Sequence, residues 1–348
     1  MVDTIKILIV DDSAFMRKVI SEMLNQHPKM EVIGTARNGQ DALTKRKTLR
    51  PDVITLDVEM PILNGLDTLK LIMDEDPCPV VMVSSTTKAG AENTLLAIEY
   101  GAVDFVTKPS GAISLDIDKV EKQIIEKVLH AAKANVRQKR PAREDRPLPV
   151  KKVEKFVTKK KIVAIGTSTG GPRALKDVLT KIPANIEAPI LIVQHMPAGF
   201  TASLANRLNS LSHIHVKEAQ DGEILQNGTA YIAPGGFHLT AKRVGSIYAI
   251  HLHQEEARRG HRPSVDVMFE SLAMFPEIET IAVIMTGMGA DGTEGLMQLK
   301  KQGHYCYSIA ESEESCTVFG MPKAAIQTKL VDEVVHVQQI SERILKRF

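Results

Sequence analysis

The sequence has no tryptophan and only 4% aromatic residues, so its cores have to be built from Val, Ile, Leu, Met and Ala. Its three cysteines, Cys78, Cys306 and Cys316, have neither paired nor metal-type spacing. That sets aside a disulfide scaffold and suits reduced thiols in a cytoplasm. No apolar run approaches the roughly 20 residues that a membrane-spanning helix needs. The opening stretch, Met1-Val-Asp-Thr-Ile-Lys, enters a strand without the charged-then-apolar order of a signal peptide. Sustained coiled-coil heptads are also missing. The expectation is a soluble, cytoplasmic, monomeric protein with no membrane insertion. What is present is ordinary for globular chains: 43% apolar and 25% charged residues over 348 positions, enough for two cores.

The net charge of +2 conceals a division along the chain. Residues 137–161 hold 11 Lys/Arg against three Asp/Glu, whereas 1–136 carry a net −4 and 162–348 a net −2. The basic stretch also contains Pro141, Pro147 and Pro149 and little apolar periodicity, which is linker composition. The expected organisation is one domain over 1–125, a helix end and basic linker over 126–160, and a second domain over 161–348. A solvated tether is the favoured reading of the linker. A nucleic-acid partner is not expected, because the output block is slightly acidic and shows no helix-turn-helix signal.

In the first block, apolar runs at 5–11, 30–35, 53–57, 80–84 and 104–108 alternate with helix-like stretches at 15–25, 39–48, 65–74, 94–100 and 115–134. Alternation of this kind predicts a doubly wound, five-stranded parallel sheet. Sites in such sheets lie at the carboxyl ends of the strands. Asp11, Asp12, Asp57, Ser84 and Lys108 all fall there. Converging carboxylates suit a shared hard cation, Mg²⁺. With it, one carboxylate could attack phosphorus, Lys108 could pair with the acyl phosphate, and Ser84 could hydrogen-bond to its oxygens. Together with Met60-Pro61, Asn64-Gly65 and Thr107-Lys108-Pro109, these residues resemble bacterial receiver domains. The resemblance implies a flavodoxin-like form of that sheet and phosphotransfer from a histidine kinase to Asp57, with Asp11 and Asp12 supporting Mg²⁺ and Phe105 as the aromatic switch.

The second block opens with the strand Lys161-Ile-Val-Ala-Ile and runs into Gly166-Thr-Ser-Thr-Gly-Gly-Pro172. Strand, Gly-bounded turn and helix form the context of a nucleophile elbow around Ser168. A phosphate or dinucleotide loop is the competing reading, and Ser168 in place of the fingerprint's second glycine counts against it. A serine nucleophile needs a base and an orienting acid. Among nine histidines in this block, His195 alone ends a strongly apolar strand, Pro189-Ile-Leu-Ile-Val-Gln-His195. Asp291 follows the apolar run Ile281–Met285 in a Gly-rich loop, which would bring it to the same sheet edge. Residues 228–236 and 246–253 read as strands of an antiparallel extension, with His251 and His253 exposed on one of them. Arg258, Arg259 and Arg262 are open either to an acidic partner or to solvent.

The order Ser, His, Asp differs from that of common α/β-hydrolases. The chain instead resembles the chemotaxis protein-glutamate methylesterases in both domains and their order. The motifs that carry this are residues 166–172, Gln194-His-Met-Pro197, Tyr231–Gly235, Arg262–Val267 and Thr286–Gly292. The resemblance implies Ser168 as nucleophile, His195 as general base and Asp291 as its orienter, with Thr169 and Met288 beside the oxyanion through backbone N–H groups. It implies methyl-accepting chemoreceptors as substrates, hydrolysis of their glutamate methyl esters, deamidation of their glutamines, and no cofactor for the esterase. The rival is a response regulator with a non-enzymatic output, which would leave the placement of Ser168, His195 and Asp291 as coincidence.

Overall fold

The computed structural model describes residues 4–85, 87–108, 117–134, 136, 160–301 and 305–348. Positions 137–159 of the expected linker, and Pro109, lie outside the described residues. The N-terminal unit runs β1 (Ile5–Val10), α1 (Ala14–Asn25), β2 (Met30–Ala36), α2 (Gly39–Leu49) and β3 (Val53–Asp57). It continues with α3 (Gly65–Glu75), β4 (Val80–Ser84), α4 (Lys88–Tyr100), β5 (Asp104–Thr107) and α5 (Ile117–Ala131). The sheet has order β2-β1-β3-β4-β5, with every neighbouring pair parallel.

Helices α1 to α4 start where a side chain caps them. Ser13, Asn38, Asn64 and Thr87 each accept a hydrogen bond from the backbone N–H three residues on. The Thr87 cap explains why α4 begins at Lys88, ahead of the expected Thr94: the extra turn is set by capping, not by apolar periodicity. The strand order reverses at β1, so Asp11, Asp12 and the end of β3 meet at one crevice.

The C-terminal unit starts with β6 (Lys160–Thr167), α6 (Gly171–Leu179), β7 (Ile190–Gln194), α7 (Phe200–Leu211), β8 (His215–Glu218) and β9 (Thr229–Ile232). Then come β10 (His238–Val244), β11 (Ile247–His253), α8 (Val265–Leu272), β12 (Ile278–Ile284) and α9 (Thr293–Lys301). It closes with β13 (Cys306–Glu311), α10 (Met321–Gln327), β14 (Glu333–Val335) and α11 (Val337–Leu345). Seven strands in the order β14-β13-β12-β6-β7-β9-β8 form a wholly parallel sheet. The antiparallel element is the β10–β11 ribbon, which stands as a sheet of its own. Residues 229–232 join the large sheet in parallel instead, which their fully buried pattern favours over an edge position.

Strands β12, β6 and β7 are neighbours at the centre of this sheet, with Val163, Ala164, Ile165, Ile192 and Val193 buried on both faces. One apolar cluster draws on both units, and Phe105 of β5 stacks on Phe200 of α7 with ring centroids 4.6 Å apart. No helix among the described residues is long and apolar enough to cross a membrane.

Candidate active site

Ser168 follows the last residue of β6, in a turn held from the β12 side. Its backbone N–H donates to the Thr286 carbonyl (3.0 Å), and the Thr286 hydroxyl donates to the Thr169 carbonyl (3.0 Å). The turn closes at Gly170, whose φ of 78° lies in the left-handed region, and a Cβ there would sit 2.3 Å from Thr317 Oγ1. Gly287 packs as closely: a Cβ on it would come within 2.8 Å of Ser168 Cβ. The backbone N–H groups of Thr169 and Met288 have no hydrogen-bond acceptor among the described residues.

His195 and Asp291 follow β7 and β12, the strands on either side of β6. The His195 Nε2 and Asp291 Oδ2 atoms are 2.8 Å apart, and both side chains are buried. Asp291 sits at the start of α8, where Oδ2 also accepts from the Val265 N–H (2.7 Å). Its Oδ1 accepts from the Ser264 hydroxyl (2.8 Å) and the N–H groups of Asp266 (2.9 Å) and Gly292 (3.1 Å). Burial alone would raise its pKa, but the His195 hydrogen bond and these backbone donors hold it well below the usual carboxylate range. Nδ1 of His195 is buried and without a hydrogen-bond partner, and the Ser168 hydroxyl makes no hydrogen bond among the described residues. The acid–base half of the constellation is thus formed; the Ser168–His195 link is not.

Several residues at this site escaped the sequence reading. His261 lies flat on His195, with ring centroids 3.9 Å apart and planes at 6°. Asp266, fully buried beside Asp291, accepts from the Gly295 N–H (2.8 Å), and burial pushes its carboxyl up to about 7. Behind the serine turn, the buried Glu311 accepts from the Thr286 N–H (2.8 Å) and the Ser315 hydroxyl (2.9 Å). Asp266 and Thr286 lie within the motifs at residues 262–267 and 286–292 and so carry a local signal in the sequence; His261 and Glu311 carry none. The arginines weighed as partner contacts are paired internally: Arg258 to Glu270 and Glu294, and Arg259 to Glu294. The Arg262 guanidinium donates to the carbonyls of Gln254 and Glu255.

In the N-terminal crevice, one oxygen from each of Asp11, Asp12 and Asp57 lies within 4.8 Å of the others. Lys108 Nζ donates to Asp57 Oδ2 (2.7 Å) and pairs with Asp11 Oδ2 (3.1 Å). Burial pushes the Asp57 carboxyl up to about 6 against the opposing effect of Lys108. The Ser84 hydroxyl is buried and donates to the Gly90 carbonyl (3.1 Å) in the first turn of α4. Phe105 stacks on Phe200 of α7.

The two units are joined beside the Ser168 turn. Asp104 Oδ2 accepts from the Thr169 hydroxyl (2.5 Å), next to Ser168, while its Oδ1 takes Lys127 (2.8 Å). Glu99 of α4 receives both Nε and Nη2 of Arg207 on α7, each at 2.9 Å, and lies 3.6 Å from Lys176 of α6. These hydrogen bonds and the Arg207 pair hold Glu99 below the usual carboxylate range.

Residues 163–344 match the CheB methylesterase family, and residues 7–117 match the response regulator receiver domain. The chain is 63% identical to the protein-glutamate methylesterase/protein-glutamine glutaminase of Halalkalibacterium halodurans, over 99% of this chain and 98% of that protein. The protein of the same name from Bacillus subtilis is 50% identical, over 98% of this chain and 97% of its own length. The crystal structure of the Thermotoga maritima CheB methylesterase catalytic domain superposes with a TM-score of 0.53 at 44% identity, covering 55% of this chain and all of that one. With its two units in this order, the chain belongs to the CheB methylesterase family and carries a response regulator receiver domain ahead of the catalytic one.

Proposed function

We propose that this chain hydrolyses glutamate methyl esters on the cytoplasmic part of methyl-accepting chemoreceptors, releasing methanol, and deamidates receptor glutamines at the same site. The observation that carries the reading is the buried His195–Asp291 pair at the strand end beside the Ser168 turn. Asp291 holds the Nε2 proton, which leaves Nδ1 of His195 as the base. Rotation of the Ser168 hydroxyl toward that nitrogen completes the triad. Ser168 then attacks the ester carbonyl while His195 takes its proton, and the N–H groups of Thr169 and Met288 receive the oxyanion. His195 returns the proton to the leaving methoxide oxygen, or in the amide case to the departing amide nitrogen, which leaves as ammonia. Water, activated by the same nitrogen, releases the glutamate.

The receiver supplies control, with domain boundaries near 125 and 160. A histidine kinase is the phosphodonor and Asp57 the acceptor. The hard oxygen donors of Asp11, Asp12 and Asp57 fit Mg²⁺, which when bound offsets their mutual repulsion and the charge of the incoming phosphoryl group. In the unphosphorylated arrangement Asp104 and Phe105 lie against Thr169 and α7, so the receiver restricts access to Ser168. Phosphorylation favours the arrangement in which this contact is open. The reading places the enzyme in the cytoplasm as a monomer.

Methanol release from methylated receptor membranes, with and without a small-molecule phosphodonor and Mg²⁺, tests both parts. Release is expected to rise with the donor, and Asp57→Asn to lose that rise. Ser168→Ala is expected to cost several powers of ten without lowering Tm. Turnover surviving in Ser168→Ala would remove the serine from its role, and donor-independent release would remove the gating.

A further inference from the structure

His261 is presented to the site by a strained and heavily anchored turn. Arg258 and His261 exchange main-chain hydrogen bonds of 3.0 and 2.9 Å around the two residues Arg259 and Gly260, with φ of 52° and 82°. Both central residues are left-handed, as in a type I′ turn, which suits glycine but strains arginine. The flanking charges offset that strain. Arg258 reaches Glu270 of α8 at 3.0 Å and Glu294 of α9 at 2.7 Å, and Arg259 also reaches Glu294. On the far side, Arg262 is fixed to the carbonyls of Gln254 and Glu255, each at 2.9 Å. The imidazole at the centre of this brace lies parallel to that of His195.

A single hydrogen bond at one ring edge does not fix an imidazole, because the ring can still pivot about the line from Nε2 to Asp291. A flat, rigidly held neighbour on the ring face removes that freedom. We infer that His261 is a positioning residue for the general base: its stacked neutral ring fixes the plane of His195 and keeps the nitrogen not taken by Asp291 turned to the serine. Two imidazolium rings at this separation would repel. Burial first, and the charge of His195 next, push His261 down to about 4, so it stays neutral at working pH. The charge that His195 gains when it takes the serine proton then rests against an uncharged π face. The other charged or titratable groups around the pair are Asp291, Asp266 of α8, His238 of β10 and Lys127 of α5.

The inference rests on the triad reading, and its test keeps the two apart. In the full chain activated with phosphodonor and Mg²⁺, His261→Ala is expected to lower kcat for methanol release about 10- to 100-fold with little change in KM, as for a misoriented catalytic group. His261→Phe, which keeps a flat ring, is expected to restore most of that loss. Unchanged kcat in His261→Ala, or equal damage in both variants, would overturn positioning by stacking. Independently of any turnover, the His261 ring-proton titration followed by NMR should move up from about 4 in His195→Gln. A midpoint that does not move would overturn the coupling, whereas methanol release surviving in Ser168→Ala would count against the triad alone.

Discussion

At the scale of single residues, the site depends on groups chosen for how little room or charge they add. Gly287 is one: a methyl there meets Met321 Sδ at 2.5 Å, Ser168 Cβ at 2.8 Å and Ser168 N at 3.0 Å, so the serine turn itself must move. Gly287→Ala is expected to cost about 100-fold in kcat, read by methanol release from the phosphorylated enzyme. Glu311 is another, a buried acid pushed up to about 7 from its ordinary 4.5. Its folded-state value is raised, so the stabilising contribution is full below pH 4.5 and is lost as pH rises to about 7, a swing of roughly 3 kcal/mol. Glu311→Gln keeps an acceptor for the Thr286 N–H without that titration. Its stability relative to wild type should therefore improve between pH 5 and pH 8 in urea melts, and a pH-independent difference would refute this. Ser168, His195 and Asp291 were legible in the sequence because each follows an apolar strand, and strand ends on one edge of a parallel sheet converge. Their contact at 2.8 Å between His195 and Asp291 was not, nor was His261, whose place depends on a turn stapled by distant glutamates.

At the scale of elements, the receiver meets the catalytic unit through α4, β5 and α7. The bidentate Arg207–Glu99 pair is half exposed, so it should contribute only about 0.5–1 kcal/mol to docking. Arg207→Ala is accordingly expected to raise methanol release by the unphosphorylated chain about two- to fivefold while leaving the phosphorylated rate unchanged. An unchanged basal rate would show that the pair does not hold the docked arrangement. Alternation of apolar runs and polar helices was enough to anticipate the five-stranded receiver sheet. It misplaced the start of α4, where the Thr87 cap decides, and it assigned residues 229–232 to an antiparallel extension. A short, fully buried strand carries no alternation that would tell the two pairings apart.

At the scale of the whole molecule, the receiver's Asp104 and the catalytic unit's Thr169 make one hydrogen bond that spans both functions. A fragment beginning near Lys160 should therefore release methanol faster than the unphosphorylated full chain, and equal rates would refute occlusion. The same contact has a thermodynamic counterpart. In the mechanism proposed, Thr169 offers its N–H to the oxyanion while its hydroxyl is given to Asp104, so a seated receptor helix and a docked receiver would contend for the same few ångströms. Influence between two such events runs equally in both directions. If phosphate on Asp57 favours the open arrangement, a bound receptor favours it too, and Asp57 is expected to be easier to phosphorylate there. The enzyme would then charge itself preferentially where its work is waiting, and the phosphorylated fraction at fixed phosphodonor should rise as receptor is titrated in.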